Sequence, residues 1–150
     1  PMEKNTMLQK PRKMTDTFLN RKELAISIIQ GLMITAGVLF AYQWSVQNGG
    51  SEEKTRAIVF TTLIFANILL SLANRSFYYS MFESFKNKNY LFLMVIGLTL
   101  VLLFAILYVP PFANFFHLTK LHIRELGLAA GIASAVVLWF EIYKWLKRKK

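Results

Sequence analysis

The stretch Tyr90–Val109, YLFLMVIGLTLVLLFAILYV, decides what kind of protein this is. It holds seven Leu, two Ile, two Phe and three Val, and no charged residue. At roughly −0.3 to −0.6 kcal/mol each, these fourteen side chains supply roughly −4 to −8 kcal/mol for insertion into a bilayer. A helix of this length approaches the roughly 17–25 residues that cross about 30 Å of hydrocarbon. A helix of a soluble bundle carries a polar face at helical spacing. Only Gly97 and Thr99 interrupt this run, so it has no wet side, and a soluble four-helix bundle is disfavoured.

Three other stretches read the same way. Leu24–Trp44 carries no charge, residues 57–74 between Arg56 and Arg75 carry none, and Leu126–Phe140 continues past Glu141 to Trp145. The expectation is an all-α membrane protein with four transmembrane helices, at about 24–44, 57–74, 90–109 and 126–145. A basic segment, 1–22, precedes the four-helix domain, 23–147, and a basic tail, 148–150, follows it. Tyr42, Trp44, Tyr90, Tyr108, Tyr143 and Trp145 fall at span ends, as aromatic belts do.

Composition agrees. The 150 residues are 55% hydrophobic, with a mean hydropathy of +0.39 and a net charge of +10. That apolarity excludes disorder, which needs low hydrophobicity. The absence of cysteine excludes a disulfide scaffold, a thiolate metal site and a cysteine nucleophile. The first residue, Pro1, points to a fragment or a processed product, and no secretory signal pattern is visible at the N-terminus.

Lysine and arginine orient the spans. Fourteen lie in the N-terminal segment, in the 75–89 loop and at the C-terminal end from Lys144 onward, against four in the other two loops. The positive-inside rule places both termini and the middle loop in the cytoplasm, as an even number of spans requires. The same flanking charges explain the basicity without nucleic acid, and Lys147–Lys150 suit anionic lipid headgroups. An integral, multi-pass protein of the plasma (inner) membrane is expected.

Asn48-Gly49-Gly50-Ser51 is expected to turn the chain outside the membrane, and Pro110-Pro111 to end the third span. Phe112–Ile123, with Phe115, Phe116 and His117, is expected along the outer interface. Residues 76–89, rich in Phe and Tyr, suggest a short interfacial helix on the inner side.

The spans contain no central Asp, Glu, Lys, Arg or His, the usual mark of an ion or proton pathway. The most central polar side chain is Asn67. It shares one helix face with Ser71 and Asn74 at spacings of four and seven. Two readings stay open for Asn67: an interhelical hydrogen bond, or a neutral oxygen ligand for a cation. Gln30 is similar but nearer the cytoplasmic end of the first span. Ser27, Gly31 and Thr35 form a small-residue stripe in that span, and Gly127, Gly131 and Ala135 form another in the fourth. Such stripes let helix backbones approach, and Ser71 fits the same packing role. His117 and His122 make a poor metal site, and no catalytic constellation or phosphate loop can be assembled. The chain alone is not expected to be an enzyme.

The order of these features is familiar. It runs from MLQKPRKMTDTFLNRKEL (Met7–Leu24) to TRAIVFTTLIFANILLSLANRS (Thr55–Ser76) and FKNKNYLFLMVIGLTLVLLFAILYVPPFANFFHLTKL (Phe85–Leu121), then a last span with a basic end. This resembles the C-terminal membrane region of cation-transporting P-type ATPases of the calcium-pump-like branch, their seventh to tenth membrane helices. The resemblance implies that Asn67, counted back from Asn74-Arg75-Ser76, matches the position where the eighth helix brings an oxygen side chain, often acidic, to a cation site. Asn67 departs in being neutral: it offers an oxygen without a charge.

The resemblance also implies partners and cofactors. The partners would be the lipid bilayer, the upstream transmembrane helices and cytoplasmic domains, and the transported cation. Mg and ATP would serve those upstream domains and not this chain, which holds no D-K-T-G phosphorylation motif. The alternative is a stand-alone four-helix membrane protein, a small transporter or an accessory or anchor subunit.

Overall fold

A computed structural model describes residues 21–74 and 90–148. The expectations for the N-terminal basic segment, the 76–89 interfacial helix and the end of the tail fall outside the described residues. The described residues form helices and no strand: α1 (Arg21–Gln47), α2 (Glu52–Ala73), α3 (Tyr90–Tyr108), the short α4 (Pro110–Phe115) and α5 (Ile123–Arg148). Two stretches, Leu24–Gln47 and Glu52–Ala73, are long and apolar enough to cross a membrane, and Leu93–Tyr108 is a shorter apolar helix.

α1 and α2 outrun their apolar runs where they meet because capping, not hydropathy, sets those ends. α1 closes in a Schellman motif: Gly50 N–H donates to Ser45 C=O (2.9 Å) and Gly49 N–H to Val46 C=O (3.1 Å). Gly49 supplies the left-handed residue that this motif requires, at φ +70°. Gly50 is needed for a different reason. A β-carbon there would lie 2.5 Å from Ser45 Oγ and 2.9 Å from Ser45 O. Ser51 then caps α2, its Oγ accepting from Lys54 N–H, and Glu52 and Glu53 complement the positive helix start. Hence α2 starts five residues before the apolar boundary expected at 57.

At the other connection the prolines end one helix, as expected, and also open another. α3 stops at Tyr108; Pro110 and Pro111 open the new helix α4, with Val109 as its N-cap. Proline suits a first turn, where its missing N–H has no partner to lose. α4 ends in a second Schellman pair, Leu118 N–H to Ala113 C=O (2.9 Å) and His117 N–H to Asn114 C=O (3.2 Å). Here a histidine takes the left-handed position, at φ 51°.

α2 is the central helix. It packs most extensively on α5, then on α1, and it also meets α3; α1 and α5 touch each other as well. Small side chains make this possible: Ala57, Thr61, Ala66 and Ala73 of α2 and Ala129 and Ala133 of α5 are all buried. One cluster joins Ile34, Ala66, Leu72, Ala73, Ala133 and Val137. A second, nearer the α1–α2 turn, joins Ala41, Ala57, Ile58, Leu103, Leu107, Leu118 and Leu121. The outer surface is as greasy as the interior. Met94 is 70% exposed, Val101 64% and Leu32 64%. Soluble proteins rarely expose contiguous apolar area on this scale. Lipid is the solvent that such a surface fits.

Candidate functional site

The polar side chains of α2 divide by azimuth. Thr55, Thr61 and Thr62 are buried against neighbouring helices, and Thr62 Oγ1 donates to Ile58 C=O (2.8 Å). Thr55 Oγ1 and Ser45 Oγ share a buried hydrogen bond of 2.9 Å. This pair fastens α1 to α2 beneath the Gly49-Gly50 turn. Asn67 and Ser71 are exposed on the other side of α2. Asn74, which ends the helix, is half-buried and paired. Gln30 Nε2 donates to its Oδ1 at 3.0 Å, and Asn74 Nδ2 donates back to Gln30 Oε1 at 3.2 Å. Gln30 is only 4% exposed, so two amides that would be costly alone in an apolar setting satisfy one another. Of the face read from the sequence, Asn74 is therefore a structural bond, while Asn67 keeps its amide at the surface.

The small-residue stripes also open outward. Ser27, Gly31 and Thr35 on α1 are exposed, as are Gly127, Gly131 and Ala135 on α5. A β-carbon at Gly31, Gly127 or Gly131 would meet nothing within 4 Å. Thr35 Oγ1 donates back to Gly31 C=O (3.0 Å), within its own helix. Close approach inside the chain falls at Gly37 instead, where a β-carbon would sit 2.6 Å from Val136 Cγ1 of α5. The three stripe glycines, Gly31, Gly127 and Gly131, thus face open space in the described structure.

At the opposite end from the Gln30–Asn74 pair, a charged clamp joins the starts of α2 and α5. Lys54 Nζ pairs with Glu125 Oε1. Glu125 Oε2 accepts from the backbone N–H of His122 (2.8 Å), the residue before α5, in the manner of a capping box. Burial pulls the Glu125 carboxyl upward, but the hydrogen bonds from Lys54 and from His122 N–H outweigh it. The carboxyl is held below the usual carboxylate range. Arg56 pairs with Glu52 within the first turns of α2. Sequence reasoning passed over the clamp. Its signal was an acid and a base at two span starts on the same expected side of the membrane.

His117 and His122 are exposed, and among the described residues no three His, Cys, Asp or Glu gather to hold a metal. The polar contacts of this arrangement join helix to helix. What it offers is an apolar scaffold with one polar face, that of Asn67 and Ser71, and two small-residue faces turned outward.

The family model described as "Cation transporting ATPase, C-terminus" matches residues 1–146. Calcium-transporting ATPase type 2C member 2 of Mus musculus is 30% identical over 149 residues, covering 98% of this chain and 16% of that protein. Calcium-transporting ATPase 1 of Saccharomyces cerevisiae is 27% identical over 151 residues, covering 100% of this chain and 16% of that protein. A calcium-transporting ATPase of Listeria monocytogenes is 30% identical over 152 residues, with coverage of 98% and 16%. The chain therefore spans about a sixth of the length of these relatives.

Proposed function

Since the chain belongs to the family of the cation-transporting ATPase C-terminus, we propose that it works as the C-terminal membrane part of an ATP-driven cation pump. In this reading α1, α2, α3 and α5 are four transmembrane spans with both termini in the cytoplasm, in a plasma (inner) membrane. The Lys54–Glu125 clamp then lies on the outer side, and the Gln30–Asn74 pair near the inner one. The observation that carries the reading is an apolar bundle whose least lipid-like faces point outward. Asn67, Ser71, Gly31, Gly127 and Gly131 are exposed in the chain itself. A polar or small-residue face left toward lipid gains nothing, whereas against other helices it permits hydrogen bonds and close backbone packing.

The missing neighbours are the upstream helices of the pump. α2 is held on one side by α1 and α5 and presents Asn67 on the other, where its amide oxygen serves as a neutral ligand of the transported cation. Calcium is the first cation to test, because the relatives are calcium transporters by name. Hard cations of this kind take oxygen donors. Magnesium and ATP are the cofactors this reading implies for the pump. Those groups act in other domains, which supply the ATP hydrolysis, and this chain contributes bracing and a ligand.

The test is calcium-dependent ATPase activity of the full-length pump carrying Asn67→Ala. The expected result is a several-fold higher half-saturating calcium concentration with unchanged expression. An unchanged calcium curve rejects the ligand role. An ATPase that responds to no cation, even with Asn67 intact, rejects the pump reading.

A further inference from the structure

The connection between α3 and α5 is exposed and apolar, yet firmly built. Phe112 is 50% exposed, Phe115 77%, Phe116 47% and Ile123 81%. Loose loops expose such side chains by chance, but this one is tied down along its inner edge. Ala113, Leu118 and Leu121 are buried, the two Schellman hydrogen bonds close the turn, and Tyr108 Oη donates to Leu121 C=O at 2.7 Å. Phe115 and Phe116 stand edge to face, with ring centroids 5.1 Å apart, so they form one wedge. The framework fixes the backbone and leaves the rings outside it.

Two further facts say what covers them. The exposed apolar surface is continuous with α3: Val109, Tyr108 and Val101 are exposed below the wedge. Along the chain from α4 to Glu125 the charges are all positive, and Glu125 is already engaged by Lys54. The positive charges are Lys120 and Arg124, both exposed. An apolar strip bordered by cations and continuous with a lipid-facing helix matches the boundary between acyl chains and phosphate headgroups.

We propose that α4 and the turn after it form an interfacial anchor in the outer leaflet. Phe112, Phe115 and Phe116 lie at the acyl edge, and Lys120 and Arg124 lie on lipid phosphates. The anchor fixes the depth at which α3 ends and α5 begins. It prefers anionic phospholipid. This inference rests on the membrane-spanning reading proposed above.

The chain contains no cysteine, so single cysteines can carry a nitroxide label. Labels are placed one at a time at Phe112→Cys, Phe115→Cys, Leu102→Cys on exposed α3 and Asn48→Cys in the other outer turn. The full chain is reconstituted in vesicles of phosphatidylcholine, alone or mixed with phosphatidylglycerol. Collision with oxygen reports lipid, and collision with a nickel chelate reports water. The expected result is that labels at 112 and 115 meet oxygen several-fold more than nickel, at a shallower depth than 102, while 48 meets nickel. Labels at 112 and 115 that behave like 48, with 102 still deep, overturn the anchor and spare the membrane reading. Labels at 112 and 115 that meet neither reagent also overturn it, since a protein surface or a second copy then covers the wedge. If 102 itself meets nickel, the membrane reading fails and the anchor with it. Phosphatidylglycerol should draw the 115 label deeper, and Lys120→Gln with Arg124→Gln should abolish that shift; an equal shift in the double variant overturns the phosphate contact.

Discussion

Gln30 and Asn74 are separated by 44 residues and hold each other through two amide hydrogen bonds, one in each direction. The pair joins α1 to the C-cap residue of α2, and it does so where Gln30 is nearly sealed from the surface. Its value lies in the interaction between the partners. Either amide alone would leave the other without its bonds in an apolar place. The coupling energy from a cycle of Gln30→Ala, Asn74→Ala and the double variant should be about 1 kcal/mol, within the range of interhelical hydrogen bonds in membranes. Unfolding in detergent measures it. Additive losses would show that the two amides act independently.

The Glu125 clamp should make stability depend on pH. A carboxyl held below its usual range in the folded chain binds its proton later than in the unfolded chain. It therefore stabilises the fold at pH above its unfolded value of about 4.3, and that stabilisation is lost as pH falls through the lower, folded value. As far as Glu125 is concerned, the thermal midpoint should not vary with pH between about pH 6 and 7 and should fall below about pH 4. Lys54→Met removes the partner while burial remains. The folded value then rises toward the unfolded one, so the fall should shrink, and it should turn into a gain on acidification where burial outweighs the remaining bond from His122 N–H. A pH profile of Lys54→Met that overlays the parent's would mean that the ion pair does not set the titration.

The sequence made four greasy helices legible because lipid demands so little of such a helix: length, apolarity and an uncharged run between charged flanks suffice. It was much less informative about which side of each helix meets which neighbour. In water, a polar stripe marks the outer face; in lipid both faces are apolar, so the pattern carries no azimuth. Gly31 and Gly37 show the consequence. Both are small residues of α1, yet the stripe through Gly31 opens outward and Gly37 makes the close approach to α5. The polar bonds across helices, Ser45 with Thr55 and Gln30 with Asn74, were equally hidden, because their pairing is a property of the packed helices. Asn67 could be singled out from its depth, but its exposure needed the structure.

His117 occupies a position that a glycine would fill more comfortably. Its φ of 51° belongs to the left-handed region, where a β-carbon crowds the following carbonyl at a cost of roughly 1–2 kcal/mol. The turn tolerates it because Ala113 and Leu118 are buried on either side and two hydrogen bonds close over it. His117→Gly should therefore raise stability by about 0.5–1 kcal/mol, after the greater freedom of glycine in the unfolded chain is subtracted. The matching change at the other turn, Gly49→Ala, should lower stability by about 1 kcal/mol, since φ is +70° there and nothing else crowds the site. Thermal unfolding of both variants compares the two turns directly; a destabilised His117→Gly would reveal a contact of the imidazole that outweighs the backbone strain.

Gly37 and Gly31 together separate the packing that this chain makes from the packing it is proposed to offer. A methyl group at Gly37 would meet Val136 Cγ1 at 2.6 Å, so Gly37→Ala must push α1 from α5 or force Val136 out of its rotamer. Overpacking of this kind costs about 1–3 kcal/mol, and the loss should appear in the chain by itself. Gly31→Ala meets nothing within 4 Å. In the chain by itself it should be neutral or stabilising by up to about 1 kcal/mol, the helix preference of alanine over glycine. The bulkier Gly31→Leu should likewise be tolerated there. In the full-length pump its outcome should reverse: a helix seated on the Ser27–Gly31–Thr35 stripe would be displaced, and pumping would fall while Gly31→Ala loses less. Full pumping by the Gly31→Leu protein would show that this stripe faces lipid, and the close approach of α1 would then be confined to α5.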